Sequence, residues 1–208
     1  MIYELRTYEL KLGRLADYLA IFETKGFPVL SRYAEPIGFW FSRPTETGFL
    51  DRVNHIWGYE SVAARIERRT ALYNDPAWIR DLVPAVSETF VRLCGQLMTL
   101  QPSTADRLEA ALAGKTAKGP VVASFTPAGV SSSSGGIGRW TTITGTVGRT
   151  FALDHLSELD LEQRDELSGV ERDIWRPARS RPLRQRRHNA MAQGRCEFCG
   201  QSAAPMPA

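Results

Sequence analysis

Val53-Asn54-His55-Ile56-Trp57-Gly58-Tyr59, followed by Glu60 and Ser61, decides how the chain is to be read. The alternation describes a strand with Val53, His55, Trp57 and Tyr59 on one face and Asn54, Ile56 and Gly58 on the other. Ser61 is suited to cap a helix, which runs to about Tyr73. Upstream, residues 37–42 are apolar and aromatic between Pro36 and Pro44, which gives another strand, and residues 44–48 form the loop after it. Residues 14–25 place Leu15, Tyr18, Leu19 and Phe22 at helical spacing, with Gly26 as a stop and Pro28 as a break. Residues 2–9 alternate as the first strand. Downstream, Asp75 caps a second helix with Pro76 at its first position, Pro84 interrupts that helix, and residues 90–100 make the last strand. The order β-α-β-β-α-β is the ferredoxin-like split unit, an α+β fold.

Outside this unit the text changes near Pro102. The chain has 208 residues, enough for one large or two small domains, and 43% of them are hydrophobic. Residues 1–102 are read as a folded domain. Residues 103–208 are read as a linker and a poorly ordered half ending in a basic tail. That half contains the tract Ser131-Ser132-Ser133-Ser134-Gly135-Gly136, then seven arginines, two prolines and no acid between Trp175 and Arg195. Lys+Arg and Asp+Glu number 12 and 12 in the first half and 14 and 11 in the second, so the net charge of +3 comes from the second half. No apolar run approaches the ~20 residues of a membrane helix, and the opening MIYELRTYEL has no apolar core of a signal peptide. With three cysteines, a reducing cytoplasm is the expected compartment and a membrane is not an expected partner.

Several spellings carry a resemblance. Tyr3-Glu4-Leu5-Arg6-Thr7-Tyr8, Gly13-Arg14-Leu15, Gly38-Phe39-Trp40, Val53-Asn54-His55-Ile56-Trp57-Gly58-Tyr59 and Asp75-Pro76-Ala77-Trp78 occur in the order found in the NIPSNAP family. Residues 1–102 therefore resemble that family. The resemblance implies a ferredoxin-like domain that pairs with a second copy into a dimeric α/β barrel, close to cofactor-free monooxygenases, so a homodimer without a cofactor is expected. Gly138-Arg139-Trp140 repeats Gly38-Phe39-Trp40, and residues 151–156 suit a strand and 160–170 a short helix. Residues 103–208 thus also read as a degenerate second copy.

In a two-layer unit one sheet face packs on helices and the other is open. Assigning Tyr3 and Leu5 to the helices leaves Glu4, Arg6 and Tyr8 on the open face, together with Trp40, His55, Trp57 and Tyr59. These residues make an aromatic-walled concavity suited to a small aromatic or anionic molecule. In that setting His55 is the candidate general base and Arg6 the candidate holder of a carboxylate or enolate, the two catalytic assignments. Glu4, Tyr8, Trp40, Trp57 and Tyr59 are the ligand-binding assignments. The alternative is a non-catalytic interaction or structural module in which the same residues only pack. The helix bearing Arg65, Glu67, Arg68 and Arg69 is read as a solvated face. Cys196 and Cys199 form half a zinc knuckle without partners at familiar spacing, so no metal is assigned. The basic stretch lacks interleaved aromatics, and nucleic acid is not an expected partner.

Overall fold

The computed structural model describes residues 1–42, 51–113, 119–128, 136–156 and 171–177. Its strands are β1 (Ile2–Leu10), β2 (Glu35–Ser42), β3 (Arg52–Tyr59), β4 (Phe90–Leu100), β5 (Val121–Thr126), β6 (Gly138–Thr142), β7 (Thr150–His155) and β8 (Glu171–Pro177). They close into one barrel in the order β1-β3-β2-β8-β5-β7-β6-β4, and every neighbouring pair is antiparallel. The helices are α1 (Leu15–Ile21), α2 (Phe27–Leu30), α3 (Val62–Tyr73), α4 (Val83–Ser87) and α5 (Ala105–Leu112).

The first half is the βαββαβ unit expected from the alternation, with strand order β4-β1-β3-β2. Two expectations change. The resemblance implied that a second chain would close the barrel, and residues 103–208 were read as a poorly ordered half or as a degenerate second copy. Instead β5 to β8 of the same chain close it, in the order β8-β5-β7-β6, which repeats the order of the first half. The physical reason lies in apolar side chains of the two halves that fill the barrel together. Tyr3, Leu5, Ile56 and Met98 of the first half pack with Val121, Ala123, Trp140, Phe151, Leu153 and Trp175 of the second. An eight-stranded barrel is just wide enough for such a filling. Leu108 and Ala111 of α5 join this core.

Gly38 and Gly138 are fixed by the same close approach. A Cβ on either would overlap the indole two residues on, Trp40 or Trp140, which folds back over it. The repeated Gly-x-Trp spelling thus has a repeated geometry. The expected helix at 160–170 and most of the basic tail lie outside the described residues.

A third expectation also changes. Gly26 does not stop the first helix and Pro28 does not break it, because a wide π-type turn, Phe22–Gly26, joins α1 to α2. A similar turn, Ala77–Leu82, precedes Pro84 in the first turn of α4. Proline lacks an N–H and crowds the preceding carbonyl, and a widened turn absorbs both faults. Gly26 is needed because a Cβ there would meet the Phe22 ring.

Candidate functional site

Register assigns the faces of β1 and β3. Tyr3, Leu5 and Ile56 belong to the barrel core, whereas Tyr8, Trp57 and Tyr59 pack with Leu15, Tyr18, Phe22 and Leu72 from the helices. The expected assignment is therefore inverted: Tyr3 and Leu5 point into the barrel, and Glu4, Arg6, Tyr8, His55, Trp57 and Tyr59 lie between sheet and helices. Alternation identified the two sets correctly, but a closed barrel buries both faces, so exposure could not tell inside from outside. Trp40 is on the opposite face, inside the barrel against Trp175 with ring centroids 5.6 Å apart. Its neighbour Phe39 takes the place beside His55.

Six of the seven candidate residues thus come together. Glu4 is 1% exposed and accepts from Arg6 Nη1 at 3.0 Å, from Arg65 Nη2 at 2.6 Å and from Tyr59 Oη at 3.3 Å. Arg6 also donates from Nε to Tyr8 Oη at 2.6 Å. Burial alone would raise the Glu4 carboxyl. The hydrogen bond from Arg65 and the charges of Arg6, Arg69 and Arg65 outweigh it and hold the group below the ordinary carboxylate range. Burial, with the Glu4 charge added, pushes the Tyr59 phenol up to about 12.

Arg69 was read from the sequence as part of a solvated face, yet it is 6% exposed. Its guanidinium donates to Tyr73 Oη and stacks over that ring. Its charge is felt at Glu4, Tyr8, His55 and Tyr59. Among the described residues no carboxylate lies within ion-pair distance of it. The site therefore holds three guanidiniums, Arg6, Arg65 and Arg69, against one carboxylate. The sequence signal for the missed residues was their spacing: Arg65, Arg69 and Leu72 share one helix face, and Leu72 is fully buried. Ser61 caps α3 as expected, accepting from Ala64 N at 3.0 Å, and so fixes where that face begins.

His55 is fully buried, with the rings of Tyr8, Phe22, Phe39 and Trp57 between 4.8 and 5.8 Å away. Burial, reinforced by the positive charges of Arg6 and Arg69, holds its pKa well below the usual histidine range, so the ring is neutral. Nδ1 accepts the Trp57 indole N–H. The ring proton is therefore on Nε2, which has no partner among the described residues and is a donor. In this state the imidazole offers a hydrogen bond rather than a basic nitrogen.

On the other sheet face, Thr7 Oγ1 donates to Asn54 Oδ1 at 2.9 Å, and Trp175 Nε1 and Ser42 Oγ donate to Asp173 Oδ2 at 2.9 and 3.2 Å. Near them Glu9 accepts from Arg52 and Arg92. Cys94 is exposed on β4, and Cys196, Cys199 and His188 lie outside the described residues. No helix among the described residues is long and apolar enough to cross a membrane.

Comparison with known proteins agrees with the spelling of the first half. The NIPSNAP family model matches residues 3–103. The protein NipSnap homolog of Dictyostelium discoideum is 36% identical over 78 residues, 38% of this chain and 33% of its own length. Human protein NipSnap homolog 3A is 35% identical over 78 residues, 38% of this chain and 30% of its own. The matched stretch thus spans about a third of the length of these curated relatives. A crystal structure of an Agrobacterium tumefaciens protein aligns with 49% of this chain and 95% of its own, at 32% identity and a TM-score of 0.46. A putative monooxygenase of Fusobacterium nucleatum aligns with 86% of this chain and 92% of its own, at 10% identity and a TM-score of 0.53. The last likeness concerns the fold alone, and it extends through the second half.

Proposed function

The chain belongs to the NIPSNAP family through residues 3–103, and from that premise we propose that it binds a small organic anion between the β1–β3 surface and α3. The observation that carries this reading is Arg69, a guanidinium almost wholly removed from water, without a carboxylate partner among the described residues and beside two further arginines. A buried charge is costly unless paired, and an incoming carboxylate supplies the missing partner. Arg6 and Arg65 already share Glu4, so Arg69 is the open position. A planar guanidinium holds a carboxylate through two parallel hydrogen bonds. Tyr8 and Tyr73 supply ring faces, and the His55 Nε2–H is a further donor on the same side of the sheet.

Catalysis at His55 and Arg6 is a finer reading of the same site. With Nδ1 engaged by Trp57, His55 stabilises negative charge developing on a bound carbonyl or enolate by donating from Nε2. Proton removal then falls to another group.

Isothermal titration of benzoate tests the binding. The wild-type chain is expected to take up one equivalent. Arg69→Gln is expected to weaken it by about tenfold to a hundredfold, the loss of one charged hydrogen-bonding partner. Equal affinity in the two proteins contradicts the reading.

A further inference from the structure

The guanidinium cluster has an apolar bank on either side. On β4, register sets Leu93 opposite Tyr8, Gly95 opposite Arg6 and Leu97 opposite Glu4, so their side chains share the helix-facing side of the sheet. Tyr8 and Glu4 are buried there, but Leu93 is 49% exposed and Gly95 is open to solvent. On α3, Val62, Ile66, Arg69 and Tyr73 fall on one stripe at i, i+4, i+7 and i+11. Within that stripe Ile66 is 57% exposed and Tyr73 is exposed as well.

Single exposed apolar residues are ordinary on a protein surface. These flank the place where positive charge exceeds negative, and the Arg6 side chain is 16% exposed. Gly95 also leaves the approach clear, since a Cβ there would meet nothing nearer than Glu4 Oε1 at 3.7 Å.

Resting on the anion site argued above, we propose that its occupant is an amphiphilic anion, an unbranched alkyl chain ending in a carboxylate. The carboxylate lies between Arg6 and Arg69, and the chain leaves across Gly95 and covers Leu93 and Ile66. Charge complementarity selects the head, and the exposed apolar banks select the tail. A short hydrophilic acid fills only half of such a site.

Titration of butanoate, hexanoate, octanoate and decanoate into the full chain tests this. Affinity is expected to rise with length by at least about threefold per two methylenes, well under the roughly fourfold per methylene of complete burial. Leu93→Asn is expected to flatten the dependence, with a loss of affinity that grows along the series from butanoate to decanoate. Equal affinity along the series, with butanoate binding still lost in Arg69→Gln, overturns the alkyl tail and leaves the anion site standing. No binding of any member overturns both. Sedimentation of the same two proteins covers a rival occupant. A wild-type dimer that Leu93→Asn converts to monomer, with the alkanoate series unchanged, places a second copy on Leu93 and overturns the proposal.

Discussion

β1 carries a carboxylate on each face of the sheet, and the two are neutralised differently. At the mouth of the barrel Glu9 meets Arg52 and Arg92, and Asp173 feels the charge of Arg52, so two carboxylates face two guanidiniums. On the helix side, among the described residues, Glu4 is the one carboxylate facing Arg6, Arg65 and Arg69. At the barrel mouth these carboxylates and guanidiniums are equal in number, although Asp173 Oδ1 and Asn54 Nδ2 have no partner among the described residues, whereas the helix side keeps a surplus of positive charge that an anion can complete. The difference also separates architecture from recognition. The strand order is repeated in the second half, while this cluster draws on β1, β3 and α3 of the first half only.

The largest effect that sharpens this comparison is at Glu4. Glu4→Gln removes the one negative charge from three guanidiniums and is expected to cost about 3–5 kcal/mol in urea unfolding, the range for breaking a buried pair. Glu9→Gln is expected to cost less, about 1–2 kcal/mol, because Glu9 is 14% exposed where Glu4 is 1% exposed, and one of its two partners, Arg92, is 62% exposed and screened by solvent. Equal losses at the two positions would break the comparison.

Next comes the neutral state of His55. Its folded pKa lies below the unfolded value of about 6.5, so below that pH the unfolded chain takes up a proton that the native chain does not. Stability from this source is present above 6.5 and falls as the pH is lowered. Lowering the pH from 7 to 5 is expected to cost up to about 2 kcal/mol through this one group, the ceiling set by protonation of the ring in the unfolded chain. Urea unfolding at the two values measures it, and His55→Phe is expected to remove that part of the slope. An unchanged slope in the variant means that His55 titrates normally.

The smallest effect is at the surface of the same helix. Arg68 pairs with Glu60 at 2.6 Å in an exposed setting, and Arg68→Ala is expected to change stability by less than about 1 kcal/mol and benzoate affinity by less than twofold. A large loss of benzoate there would mean that the surplus of charge is diffuse rather than centred on Arg69.

How far these features were legible in the sequence follows from what each depends on. Strand alternation, the Ser61 cap and the Asp75-Pro76 start are local, and they specified the βαββαβ unit. Barrel closure depends on pairings such as Trp40 with Pro177 and Val121 with Trp175, which no local pattern encodes. The candidate residues on β1 and β3 were grouped correctly because alternation sorts faces, yet it does not say which face meets the helices. Trp40 was grouped wrongly because neighbouring residues on β2 are all apolar or aromatic, so either parity looked suitable. Arg69 was missed because a charged residue on a helix is usually solvated, and its burial depends on where α3 crosses the sheet. Gly26 and Pro28 read as stops because both are poor helix residues, but a widened turn accommodates them.

The face that takes the ligand is the claim on which the rest depends, and a crystal structure of the protein soaked with 4-bromobenzoate tests it most directly through the anomalous signal of bromine. The expected result is a carboxylate between Arg6 and Arg69 with the bromine directed toward Gly95 and Leu93. A bromine inside the barrel near Asn54 and Asp173, or no bromine at a saturating concentration, would contradict it.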